Sequence, residues 1–93
     1  MASATARHIL VDSEEECRRL KEKIEGGADF AELAREHSNC PSGQRGGELG
    51  EFAPGMMVKE FDEVVFSADL NSVQGLVRTQ FGYHLLEVTS RSD

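Results

Sequence analysis

Five of the nine glycines and both prolines of this 93-residue chain fall between Cys40 and Gly55, and that concentration limits the fold more than any other feature. Proline fixes φ and removes a backbone donor, while glycine makes turns that other residues resist, so no long helix or central strand can run through the segment. Leu49 and Phe52 are its only large apolar residues. It therefore reads as a shaped loop holding a short strand near Leu49 to Phe52, with the regular structure on either side.

Before the loop, His8 to Val11 is a branched apolar run of strand length, expected to be buried on both faces. Ser13 with Glu16 forms a capping-box pattern, and Cys17, Leu20 and Ile24 then recur at helical spacing until Gly26 and Gly27. That predicts a helix over Glu14 to Glu25. Asp29 with Glu32 repeats the pattern, and Phe30, Leu33, Ala34 and His37 line one side of a second, shorter helix. After the loop, Met57, Phe61, Val64 and Val65 fit one face of a helix from Val58 to Ser67. Ser72 to Thr79 and Tyr83 to Thr89 read as antiparallel strands about a turn at Gly82. This order is that of an α+β fold with an antiparallel sheet. No repeat or linker divides it, and residues 1–93 are expected to form one domain and a monomer.

Composition excludes several kinds of partner. A net charge of -7 disfavours nucleic acid and anionic membranes, because both need a positive surface. No apolar run approaches the roughly 18 residues that span a bilayer, and Met1 to Arg7 has neither the length nor the apolar stretch of a secretion signal. A cytoplasmic location is expected. Cys17 and Cys40 are the only cysteines, expected to be reduced in that compartment, and neither CxxC nor HxxxH zinc spacing occurs.

Three features can carry chemistry. His8 shares a strand face with Leu10, and His84 shares one with Leu86, so if those strands are neighbours the two imidazoles can meet above the sheet. They can equally be two unrelated core histidines. Cys40, before Pro41, should sit at a bend with its thiol near a loop surface, or else serve as a small buried hydrophobe. Cys17, spaced with Leu20 and Ile24, belongs to the core. Leu49, Met57 and Phe61 can line an apolar cup among Gly46, Gly47, Gly50 and Gly55, or can simply be core packing. The glycine loop is no phosphate cradle, since it lacks GxxxxGK[ST] and carries Glu48.

The run Arg45-Gly46-Gly47-Glu48-Leu49-Gly50-Glu51-Phe52, followed by Gly55-Met56-Met57-Val58 and Phe61, resembles the motif of the parvulin family of peptidyl-prolyl cis/trans isomerases. His8-Ile9-Leu10-Val11, Gly27-Ala28-Asp29-Phe30 with Ser38 and Cys40, and Gln80-Phe81-Gly82-Tyr83-His84 agree with it in order and spacing across nearly the whole chain. The resemblance implies an FKBP-like superfold, with a four-stranded antiparallel sheet surrounded by four helices. It implies His8 and His84 as paired central histidines, Cys40 as the thiol near the reacting bond, and Leu49, Met57 and Phe61 as the proline pocket. Asn39, Phe52, Thr79 and Phe81 would complete the site.

Two positions depart from the family pattern. Asn39 stands where an acidic residue is common, and Glu60 stands where proline is common. The phosphate-directed branch of the family carries basic residues after its first strand, whereas this chain has Asp12, Glu14, Glu15 and Glu16, which would repel phosphate.

The implied activity is rotation about X-Pro bonds in unfolded or flexible polypeptides, not phospho-specific, assisting folding and needing no cofactor or metal. Three rival readings use the same residues. One is a peptide-binding module or chaperone without turnover. Another is a thiol hydrolase with Cys40 as nucleophile and His8 or His84 as base. The third is a zinc site of His8, His84 and Cys40.

Overall fold

The computed structural model describes residues 2–92; Met1, the first residue of the stretch expected not to be a secretion signal, and Asp93 lie outside the described residues. The elements run β1 (Ser3–Val11), α1 (Glu14–Glu25), α2 (Phe30–His37), a 3-10 helix (Pro41–Arg45), β2 (Glu48–Phe52), α3 (Lys59–Val65), β3 (Val73–Thr79) and β4 (Gly82–Ser92). Both predicted caps form. Ser13 Oγ accepts from the Glu16 N–H at 3.0 Å, and Asp29 accepts from the Glu32 N–H at 3.1 Å. Each satisfies one of the donors that a helix start leaves without an internal partner.

The strands form one antiparallel sheet in the order β2-β1-β4-β3. Because side chains alternate across a sheet, each central strand feeds two cores. On one face Ile9, Val11 and Leu85 pack with Cys17 and Leu20 of α1 and with Phe30, Leu33 and Ala34 of α2. On the other, Ala4, Ala6, Leu86 and Val88 pack with Phe52 and with Phe61 and Val65 of α3. His8 and His84 project from this second face. Among the described residues no helix is long and apolar enough to cross a membrane.

Two expectations are corrected. Three α-helices flank the sheet among the described residues, not four; the fourth helical element is the five-residue 3-10 helix. Pro41 opens it and Gly46, in the left-handed region at φ 71°, stops it, so a regular α-helix has no room to develop there. The first strand begins at Ser3 instead of His8. Its added part buries only Ala4 and Ala6, which are too small to show in an apolar pattern.

Gly47 ties the loop to the sheet. Its carbonyl accepts the His8 N–H at 2.9 Å, its φ is +87°, and a Cβ there would fall on the carbonyl oxygen of His8. Gly47→Ala therefore combines backbone strain with collision against a central strand. We expect it to lower unfolding stability by ~2–4 kcal/mol, read as a lower urea midpoint by circular dichroism. A midpoint equal to wild type would show that the loop can leave β1 without cost.

Candidate active site

The pairing of β1 with β4 sets Leu10 opposite His84 and His8 opposite Leu86, which makes the two histidines diagonal neighbours on one face. Their rings lie nearly parallel, 14° apart with centroids 5.2 Å apart, and Nδ1 of one is 3.1 Å from Nδ1 of the other. Phe61 of α3 stands edge-on to both, with centroids 5.5 Å from His8 and 4.7 Å from His84. The imidazoles are 5% and 3% exposed. Of the two earlier alternatives, paired or unrelated, the structure takes the first.

All four ring nitrogens are engaged. His8 Nε2 lies 3.1 Å from Ser42 Oγ, and Ser42 donates to Cys40 Sγ at 3.3 Å. His84 Nε2 lies 2.7 Å from Thr79 Oγ1, which accepts the Phe81 backbone N–H at 3.1 Å. With Ser42 as the donor to sulfur, donor and acceptor counting gives this chain one direction. With the Ser42 hydrogen spent on sulfur, Ser42 must accept from His8 Nε2–H, which leaves His8 Nδ1 bare to accept from His84 Nδ1–H. His84 Nε2 is then bare and accepts from the Thr79 hydroxyl. Six residues thus form an unbroken run of hydrogen bonds from the Phe81 amide to the Cys40 thiol.

That run requires a neutral His8, since a second proton there would put two hydrogens between the facing Nδ1 atoms, while a second proton on His84 would fall on Nε2 and turn the Thr79 hydroxyl from donor to acceptor. Burial holds both rings neutral. It pushes His8 down to about 4, with the neighbouring His84 adding to the effect. It also pushes His84 down to about 4, against the opposing pull of the Glu60 carboxylate. Cys17, wholly buried under α1, is raised to about 11 by desolvation and then by Glu16 and Glu14, and so is inert as a nucleophile.

Above the histidines opens a cavity of about 370 Å³. Leu49 from β2, Met57 before α3 and Phe61 from α3 form its apolar wall, with Cys40 and Asn39 on the loop side and Phe81 at the rim. The turn that carries Met57 is fastened to α3 by the Gly55 N–H, which donates to Asp62 Oδ2 at 2.7 Å. Phe81 is 59% exposed, so an apolar face is presented to solvent at the entrance.

Nine of the ten residues singled out from sequence either line this cavity or bond to what does. Thr79 lies below the wall and fixes His84. Phe52 is the one set apart: it is 2% exposed in the core under the cup, edge-on to Phe66 at 6.3 Å. Sequence reasoning missed Leu10, Pro41 and Val58 as lining residues, and it missed Ser42. A serine in a glycine-proline loop reads only as a turn former. The alternation that placed Leu10 beside His8 could have found Leu10.

The geometry also bears on the rival chemistries. Ser42 stands between Cys40 and His8, so no imidazole is bonded directly to the thiol as a hydrolase would need. The histidine nitrogens are turned on each other and on hydroxyls, and do not converge with the thiol on a common point.

Comparison with known proteins fits this geometry. The family model of the PPIC-type PPIase domain matches residues 1–92. The foldase protein PrsA 4 of Bacillus cereus is 42% identical over 87 residues, covering 92% of this chain and 31% of the relative. The chain thus spans about a third of the length of that curated relative. The crystal structure of the PrsA peptidylprolyl isomerase of Bacillus anthracis superposes with a TM-score of 0.95 at 34% identity, over 99% of this chain and 43% of that one. NmPin, the parvuline of Nitrosopumilus maritimus, superposes at 0.85 with 33% identity, over 97% and 98% of the two chains. A family model matched along almost the whole chain, joined to a cup-and-histidine geometry of the kind the motif implied, means that this chain belongs to the PPIC-type peptidyl-prolyl isomerase domains, the parvulins.

Proposed function

We propose that the chain catalyses cis/trans isomerisation of X-Pro bonds in flexible or unfolded polypeptide segments and so assists folding. It would do so as a monomeric domain over residues 1–93, with no cofactor and without requiring a phosphorylated substrate. The observation that carries this reading is the apolar cup of Leu49, Met57 and Phe61 set directly over a neutral, internally bonded histidine pair. Two thiols left unpaired in one chain support a cytoplasmic setting.

Rotation about a peptide bond meets a barrier of about 18 to 20 kcal/mol, because the planar amide has partial double-bond character. No bond need break to lower it. The planar amide is more charge-separated than the twisted one, so transfer from water into an apolar cup removes more solvation from the ground state than from the transition state. In this reading the cup holds the pyrrolidine ring while the carbonyl on the other side turns past Cys40. Removal of about 5 to 6 kcal/mol corresponds to roughly ten-thousandfold acceleration.

The chaperone reading uses the same cup for binding alone, and exchange NMR on a short peptide with one X-Pro bond separates the two. Wild type should broaden and exchange the cis and trans resonances at substoichiometric concentration. Phe61→Ala should slow this by about 10- to 100-fold, equivalent to about 1.4–3 kcal/mol of barrier. Equal rates for the two proteins would remove the cup from the mechanism. Binding without exchange would leave a chaperone. Cys40→Ser should keep measurable acceleration, since nothing attacks the substrate; complete loss would revive a covalent thiol.

The lowered histidines give a pH dependence with a definite sign. Unfolded histidines bind protons at about pH 6.5, while the folded pair resists them until about 4. The unfolded state therefore binds more protons in between, and stability falls as pH drops through that window. Two-dimensional NMR should find both rings neutral down to about pH 5, with the urea midpoint declining from about pH 6.5 downward and level above it. Ring titration near pH 6.5 would show that burial does not hold these groups neutral.

A further inference from the structure

Cys40 stands between two cavities. Beyond it from the proline cup lies a second, of about 340 Å³, which shares Asn39, Cys40 and Pro41 with the first. Its remaining wall carries Arg35, Ser38 and Gln44. The two differ in kind. Around the cup no side chain bears a charge while the imidazoles are neutral, whereas the second cavity is bounded by amides, a hydroxyl and one guanidinium.

That guanidinium is unusual within this chain. Most basic side chains here engage a carboxylate, a carbonyl or a ring: Arg7 pairs with Glu87, Lys59 with Glu63, Arg91 bonds Val65 and Ala68 carbonyls, and Arg78 lies over Tyr83. Arg35 is exposed in the last turn of α2, and its side chain makes no hydrogen bond or ion pair to any described residue. A planar fork of donors with no internal acceptor, on the wall of a cavity contiguous with the substrate cup, is matched to a carboxylate.

We infer that the second cavity is a subsite for the substrate chain, in which Arg35 receives the carboxylate of an aspartate or glutamate close to the isomerising proline. The inference rests on the isomerase reading of the cup. Since an extended chain advances about 3.3 Å per residue and the cavities share a wall, the acidic residue is adjacent to the proline or next but one. A single arginine offers one bidentate contact, enough for a carboxylate. A phosphate dianion would meet the same lone cation in a chain of net charge -7 and is the poorer occupant. The C-terminal carbonyls of α2 offset part of the Arg35 field, so the preference depends on direct contact and not on steering at a distance.

The test compares X-Pro peptides that differ only by Glu or Gln, placed in turn at the two positions before and the two after proline. Each is followed by exchange NMR for kcat/KM and by chemical-shift titration for Kd. With wild type, one position should favour Glu by about three- to tenfold, in KM more than in kcat, and less so at high salt. Arg35→Gln should bring that ratio close to one, and Arg35→Glu should turn the preference toward Lys at the same position. Lys23→Gln, which removes an equal charge from α1, far along the chain from both cavities, should leave the ratio intact. Absence of any Glu preference, or a ratio that survives Arg35→Gln, overturns the inference, as does a larger preference for phosphoserine than for Glu. Arg35-dependent selectivity in Kd without acceleration would uphold the subsite while defeating the isomerase reading; neither binding nor acceleration defeats both.

Discussion

The register of β1 against β4 is the constraint from which the rest of the molecule follows. Leu10 faces His84 and His8 faces Leu86 across the two central strands, and because strand side chains alternate, a slip of one residue would send an imidazole into the opposite core. That core is filled by Ile9, Val11, Leu85 and the apolar sides of α1 and α2, which admit no polar ring without a partner. The packing of one face thus holds the chemistry of the other in place. The Arg7–Glu87 pair, at 2.5 Å on the α1–α2 face, lies at the same register position.

Given that register, the hydrogen-bond run from Phe81 to Cys40 has little freedom. Each hydroxyl gives one hydrogen and each ring carries one, so the direction fixed at Ser42 is passed along to Thr79. A buried network of this sort is costly unless every member is satisfied, and here every ring nitrogen is. Burial lowers both histidines and the run needs His8 neutral, so at His8 desolvation and hydrogen bonding act in the same sense.

Much of this was legible in the sequence, for identifiable reasons. The two capping patterns located the starts of α1 and α2, because a cap is a local interaction written in adjacent positions. Alternation put His8 and His84 on defined strand faces, but whether those faces met depended on strand order, which no local pattern contains. The motif resemblance supplied that step. Ser42 stayed invisible because its role exists only once the loop folds back onto β1, and Phe52 occupies the core because the last residue of β2 turns inward beneath the cup. The start of β1 was hidden by alanines, whose burial matters to packing but barely registers as hydropathy.

The same satisfaction of polar atoms bears on how the cup works. A site that solvated the planar amide would stabilise the ground state and slow rotation. Here the polar side chains beneath the cup have their ring nitrogens and hydroxyls committed to one another, so few donors remain to replace the water an amide loses on entering. The walls facing it are Leu49, Met57 and Phe61, which offer no hydrogen bonds. In the proposed reading, a network that uses up its own donors, under apolar walls that offer none, would convert burial of the proline ring into a lowered barrier for the neighbouring bond. The glycine-proline segment that first restricted the fold lets backbone and apolar side chains gather closely enough to form that cup.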